Sequence, residues 1–204
     1  MDVRTRFGAF FVKWPEPQGG QENPMHICVY CASSDAVAPQ YEEIARLLGE
    51  LLGKRGHTLV YGGGRLGLMG TLARAVQAAG GKVHGVIPQA LVAREQAYEE
   101  AEELEIVQTM AERQARMLTL GQGFIALPGG FGTLEEITHT LVWKAFTAST
   151  KPLVLVNTGG FYNALLAFFE QFYRERFAPP SWRDLYAVVA HPQEALDLIE
   201  KAHL

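Results

Sequence analysis

The chain has 204 residues, with 18 Lys plus Arg against 22 Asp plus Glu for a formal net charge of −4, and it is 48% apolar and 20% charged. This is the composition of one globular domain with a sizeable core, without the basic surplus of a nucleic-acid or membrane-surface binder. No apolar run approaches the roughly 20 residues that span a bilayer, and the patch at 7–12 is cut by Lys13 too early for a secretory leader, so the sequence predicts a soluble, cytoplasmic protein.

Residues 1–24 read as a flexible N-terminal extension. Pro15, Pro17, Gly19, Gly20 and Pro24 break any periodicity, and Met25 directly precedes the first apolar run. From there short apolar runs alternate with helical patterns across 25–204. Strands are predicted at 26–31, 58–61, 82–87, 105–108, 124–127, 152–157 and 185–189. Helices are predicted at 41–55, 66–79, 110–120, 133–148, 162–172 and 192–201. Runs such as Phe124 to Leu127 are apolar throughout, as in strands covered on both faces. The alternation predicts a single Rossmann-like α/β domain with a mostly parallel sheet and helices on both faces. Ligands of such folds sit beyond the carboxyl ends of the strands.

Cys28 and Cys31 have C-x-x-C spacing but fall within one strand, where positions i and i+3 face opposite sides. They are expected to be core thiols, neither bridged nor sharing a metal. The six histidines are scattered, and no protein-held metal is expected.

Glycine supplies 21 residues, clustered where strands end. The first cluster, 62–70, reads GGGRLGLMG and satisfies G-x-G-x-x-G. No Asp or Glu follows from Leu68 through Arg94, so the ribose-binding acid of a dinucleotide site is missing, and no Gly-Lys-Ser/Thr makes it a P-loop. The loop either approaches an anion or nucleotide, or serves close helix–strand packing. The second cluster, LPGGFGTLEE at 127–136, follows a buried strand and opens a helix. Its backbone amides and the helix N-terminus make a phosphate cradle to which Thr133 can add a hydroxyl. Glu135 and Glu136 are expected to project from the first helical turn. A third motif places Met110, Arg113, Gln114 and Met117 on one helix face. Arg113 there interrupts a partly buried stripe and needs an anionic or carbonyl partner. Arg116 is expected at the surface, within reach of Glu112.

Together these three motifs resemble the Lonely Guy family, the cytokinin riboside 5′-monophosphate phosphoribohydrolases. Residues 128–136 match its P-G-G-x-G-T-x-x-E, and 62–70 look like its G-G-G-x-x-G-L-M-G. Further similarity lies in 28–34, 85–88, Arg94-Glu95 and 160–163. The resemblance implies a nucleotide-binding catalytic domain that hydrolyses the N-glycosidic bond of cytokinin nucleoside 5′-monophosphates or AMP, releasing free base and ribose 5-phosphate without a cofactor. It implies Arg113 and Glu136 as the catalytic pair. Glu95, Gln114, Gly129, Gly130, Phe131, Gly132, Thr133 and Glu135 are implied as substrate-binding residues, and the assembly as a homodimer. The family's M-H-x-R-K is altered, with Ala111 and Gln114 at the His and Lys positions. Members of the family are often labelled lysine decarboxylases, but no lysine lies in a glycine loop to carry pyridoxal phosphate. A non-catalytic nucleotide or molybdenum-cofactor carrier is the competing reading, and a nicotinamide-dependent oxidoreductase is a weaker third.

Overall fold

The computed structural model describes residues 24–93 and 96–204. The predicted extension lies outside the described residues apart from Pro24, as do Arg94 and Glu95. Seven strands, β1 (His26–Tyr30), β2 (Thr58–Tyr61), β3 (Lys82–Pro88), β4 (Glu103–Val107), β5 (Gly123–Ala126), β6 (Leu153–Val156) and β7 (Ala187–Val189), form one sheet in the order β4-β3-β2-β1-β5-β6-β7. Every pairing is parallel. Cys28 at the centre of the sheet aligns with Val60 on one side and Phe124 on the other. The strand order reverses between β1 and β5, and that is where a crevice opens above a doubly wound sheet.

Six helices cover the two faces: α1 (Pro39–Lys54), α2 (Gly67–Ala78), α3 (Met110–Leu120), α4 (Phe131–Thr147), α5 (Asn163–Arg174) and α6 (Pro192–Lys201). Strand alternation sorts the core into two layers. Ile27, Val29, Leu59, Tyr61, Ile125 and Val154 pack with α1, α2 and α6, whereas Tyr30, Val60, Phe124, Ala126 and Leu155 pack with α3, α4 and α5. Cys31 belongs to the first layer and Cys28 to the second, both as free thiols. The strand β1 ends at Tyr30, one residue before Cys31 and not at 31 as predicted, yet the two thiols still face opposite sides of the sheet as the period-two reading expects. The helix α6 closes the first layer with Ala195, Leu196 and Ile199. Polar contacts tie it down. The Met25 amide donates to His57 Nδ1 (3.2 Å), His57 Nε2 meets Glu200 (2.8 Å), and Arg55 bridges Glu200 (2.5 Å) and Asp197 (2.8 Å).

Boundaries differ from expectation where local signals mislead. The strand β4 starts two residues earlier than predicted and is only partly buried, because it lies at the sheet edge. Residue 185 ends a 3-10 segment, Pro180–Leu185, rather than opening a strand. Among the described residues no helix is long and apolar enough to cross a membrane.

Burial raises the Cys28 and Cys31 thiols well above the ordinary 9.0, and raises the Tyr30, Tyr61 and Tyr162 hydroxyls above 10.0. These groups stay protonated in the folded chain but ionise in the unfolded one, so the unfolded state binds fewer protons above pH 9. Stability is therefore full below about pH 9 and falls as pH rises beyond it, by about 1.4 kcal/mol per pH unit for each thiol. Lys144 is pulled down to about 8 by desolvation. It works in the opposite sense between about pH 8 and 10.5, as does Lys151, which desolvation also lowers, but these two lysines are outnumbered by the raised thiols and hydroxyls, which include Tyr98, Tyr173 and Tyr186 as well. Thermal melts are expected to be flat from pH 7 to 8.5 and to drop steeply from pH 9 to 11. A melting temperature that rises over that range would contradict the burial assignments.

Candidate active site

Both glycine clusters and the start of α3 meet at the carboxyl ends of β1, β2 and β5. The helix α4 begins at Phe131 with Gly130 as its N-cap, so its first turn is the glycine motif itself. The sequence placed the helix start two residues later, because a glycine cap gives no side-chain signal such as Ser or Asp. Glu135 and Glu136 accordingly lie in the second turn, not the first. The amides of Phe131, Gly132 and Thr133 have no intrahelical partner, and the Leu134 amide makes the first helical bond, to the Gly130 carbonyl.

The glycines of this loop have different causes. A Cβ on Gly129 would sit 2.1 Å from Thr133 Oγ1, so Gly129 makes room for a buried threonine. A Cβ on Gly130 or Gly132 would meet no atom within 4 Å among the described residues. Neither has a positive φ. Nothing in the packing of the described residues accounts for these two glycines, and among those residues the space above them is open. Phe131 between them is 91% exposed.

Arg113, from the first turn of α3, is buried, and its Nη2 lies 3.1 Å from Glu136 Oε1. Thr109 caps α3 by accepting from the Glu112 amide (3.1 Å), and Glu112 reaches back to the Gln108 amide (2.8 Å). Glu112 is thereby used. Arg116 pairs instead with Glu105 of β4, at 2.6 and 2.8 Å, which corrects the expected contact with Glu112. Gln114 donates to Glu135 at the exposed lip of the same site. The Arg113 Nε is buried with no hydrogen-bond partner among the described residues. Glu95 lies outside the described residues.

Sequence reasoning missed the supports beneath these groups. Tyr162 donates to the Leu127 carbonyl (2.5 Å) and so pins the strand end just before the glycine loop. Its own amide is held by Asn157, which also bonds Asn163. Tyr30 pairs with Thr140 (2.9 Å), whose hydroxyl donates to the Glu136 carbonyl (2.8 Å). The first glycine loop is largely self-occupied: Asp35 Oδ1 accepts from the Gly67 amide (2.6 Å) at the α2 N-terminus, and Gly67 abuts the backbone of Ser33 and Ser34. Close packing, with an internal carboxylate at the helix start, thus accounts for Gly67 in that loop. His84, Glu103 and Glu105 bring possible ligand atoms within 4.8 Å of one another. The two ring nitrogens of His84 face different carboxylates, and Arg116 occupies Glu105, which is an ion-pair chain rather than a metal cage.

Comparison with known proteins agrees with the motifs. The family described as "Possible lysine decarboxylase" matches residues 69–199. A probable cytokinin riboside 5′-monophosphate phosphoribohydrolase of Oryza sativa subsp. japonica is 41% identical over 174 residues, covering 85% of this chain and 70% of the relative. A cytokinin riboside 5′-monophosphate phosphoribohydrolase of Arabidopsis thaliana is 41% identical over 175 residues, covering 86% of this chain and 81% of the relative. The chain belongs to the Lonely Guy family. Among solved structures, the molybdenum cofactor carrier protein of Chlamydomonas reinhardtii aligns with a TM-score of 0.67 at 22% identity, covering 89% of this chain and 99% of that one. A molybdenum cofactor binding protein of Rippkaea orientalis gives 0.68 at 20% identity, with the same coverage. At that identity the likeness is one of fold.

The lysine placement bears on the decarboxylase label. Lys54, Lys144 and Lys201 sit in the last turns of α1, α4 and α6, Lys82 opens β3, and Lys151 precedes β6. All the described lysines therefore lie at the amino end of the sheet, opposite the glycine loops. Lys144 is committed to the Lys151 carbonyl, and Lys151 to the carbonyls of Leu118 and Thr119. None of them can form a Schiff base at this Lonely Guy site.

Proposed function

We propose that this chain hydrolyses the N-glycosidic bond of cytokinin nucleoside 5′-monophosphates, AMP or both. The observation that carries the reading is the pair of unexplained glycines, Gly130 and Gly132, opening the α4 N-terminus beside the buried Arg113–Glu136 pair. A phosphate takes the amides of Phe131, Gly132 and Thr133, where the helix dipole favours an anion. The ribose then extends toward Glu136. As the C1′–N9 bond lengthens, its electron pair leaves with the base and oxocarbenium character builds on the sugar, which the Glu136 carboxylate stabilises. The same carboxylate takes a proton from the water whose oxygen bonds to C1′, and that proton passes on to the departing base, which completes the free base and restores Glu136. Arg113 holds Glu136 in place. Gln114 and Glu135 line the outer rim.

Product analysis after incubation with AMP and with isopentenyladenosine 5′-monophosphate tests this. Free base and ribose 5-phosphate are expected, and the ratio of rates gives the preferred base. Nucleotide binding with no base release from either would overturn the hydrolase reading in favour of a carrier.

We also propose a homodimer formed through α4. The sequence puts Ile137, Leu141, Trp143 and Phe146 on this helix, more apolar surface than one sheet contact requires; Ile137 and Leu141 are absorbed by the core and Trp143 packs against it. Phe146 stays outward, 81% exposed, together with Phe131 and Val142. Sedimentation is expected to give a dimer that Val142→Glu with Phe146→Glu converts to monomer. An unchanged dimer would place the interface elsewhere.

A further inference from the structure

Gly62 stands immediately beyond β2, and its φ is not in the left-handed region, unlike Gly63 (+77°) and Gly67 (+57°). Backbone conformation therefore gives no reason for a glycine at 62. Sterics do. A Cβ at this position would lie 2.1 Å from Arg113 Nη2 and 3.1 Å from Arg113 Cζ, with Met69 Sδ at 3.2 Å on another side. The nitrogen it would strike is the one that reaches Glu136. Arg113 is buried, so its guanidinium has little free volume into which to retreat.

We infer that Gly62 is a positioning residue for the reaction: its missing side chain is the seat of the Arg113 guanidinium, and it sets the Arg113–Glu136 contact. This rests on the hydrolase reading above and assigns part of the first glycine loop to the chemistry of the second. Met69 Sδ of α2 also closes on the Gly62 position, so an added methyl has no free direction there, and the guanidinium is held between Gly62 and the carboxylate of α4. A methyl group at 62 must push Nη2 away from Glu136, while Arg113 itself remains chemically intact.

The test is a double-mutant cycle of wild type, Gly62→Ala, Arg113→Ala and the double variant, read by base release and by thermal melting. Gly62→Ala alone is expected to lower kcat/KM by on the order of 100-fold. In the Arg113→Ala background it is expected to cost nothing further. There the methyl enters the vacated seat at a permitted φ, and the double variant melts no lower than Arg113→Ala. A purely structural glycine would give independent losses in both readouts, and that outcome overturns the proposal, as does full activity in Gly62→Ala. If Gly62→Ala fails to fold, folding of the double variant supports the seat, and failure of both refutes it. Absence of base release from wild type would defeat the hydrolase reading, while the melting cycle would still judge the seat.

Discussion

Glu136→Gln is expected to lower base release by about 10²–10⁴-fold while nucleotide affinity stays within a few-fold of wild type. Glutamine keeps the shape of the side chain and an oxygen for the Arg113 Nη2 donor, so the site should stay assembled. What disappears is the negative charge facing the developing oxocarbenium ion and the acceptor for the water proton. In the proposed complex the phosphate rests on α4 amides that the substitution does not touch. Titration calorimetry with AMP separates the two effects, since only the rate should fall. Activity within about threefold of wild type would remove Glu136 from the chemistry.

Arg113→Ala is expected to cost both stability and rate. Arg113 and Glu136 expose only 8% and 11% of their side chains, so the pair sits where Coulomb attraction is weakly screened. Removing one member of such a pair costs roughly 2–4 kcal/mol, toward the lower figure here because water can enter from the open cleft. Rate should fall by on the order of 100-fold or more, since the carboxylate is no longer held in one position. Arg113→Lys is not expected to restore wild-type rate, because an ammonium group lacks the fork that reaches Glu136 with one nitrogen while Nε faces elsewhere. Added guanidinium ion is expected to recover part of the Arg113→Ala activity by occupying the vacated seat beside Gly62. Recovery with the ion and none with equal ionic strength of sodium chloride would identify the seat as the cause.

The elements legible in the sequence are those with strong periodicity. The strand β2 and the helices α3 and α6 have the predicted limits because apolar runs, a Thr-x-x-Glu cap and a proline at a helix start are local signals. Relations between elements were not legible in the same way. Arg113 visibly required an anionic or carbonyl partner, but nothing in spacing selects Glu136, which comes from a different helix on the same face of the sheet. Spacing points Arg116 to Glu112 because contacts three or four residues apart are those a helix displays in sequence, whereas Glu105 comes from a neighbouring strand. The family resemblance supplied the Arg113–Glu136 pairing that local physics could not. Gly62 was read only through its motif, since a glycine required by another residue's side chain looks the same in sequence as one required by φ.

The place of α6 has a consequence for how the chain is made. The central strand β1 is synthesised early, yet β5, its second neighbour, follows nearly a hundred residues later, and Ile199 arrives last to fill the notch left by Gly123, where a Cβ would lie 2.5 Å from it. A nascent chain ending at Val189 would possess all seven strands and still lack the Ala195, Leu196 and Ile199 side chains that close one face. Completion of this fold must therefore wait until Pro192–Lys201 has been synthesised and can pack. A fusion partner attached after the exposed Leu204 leaves that closing step intact, whereas a stop placed before Pro192 removes it.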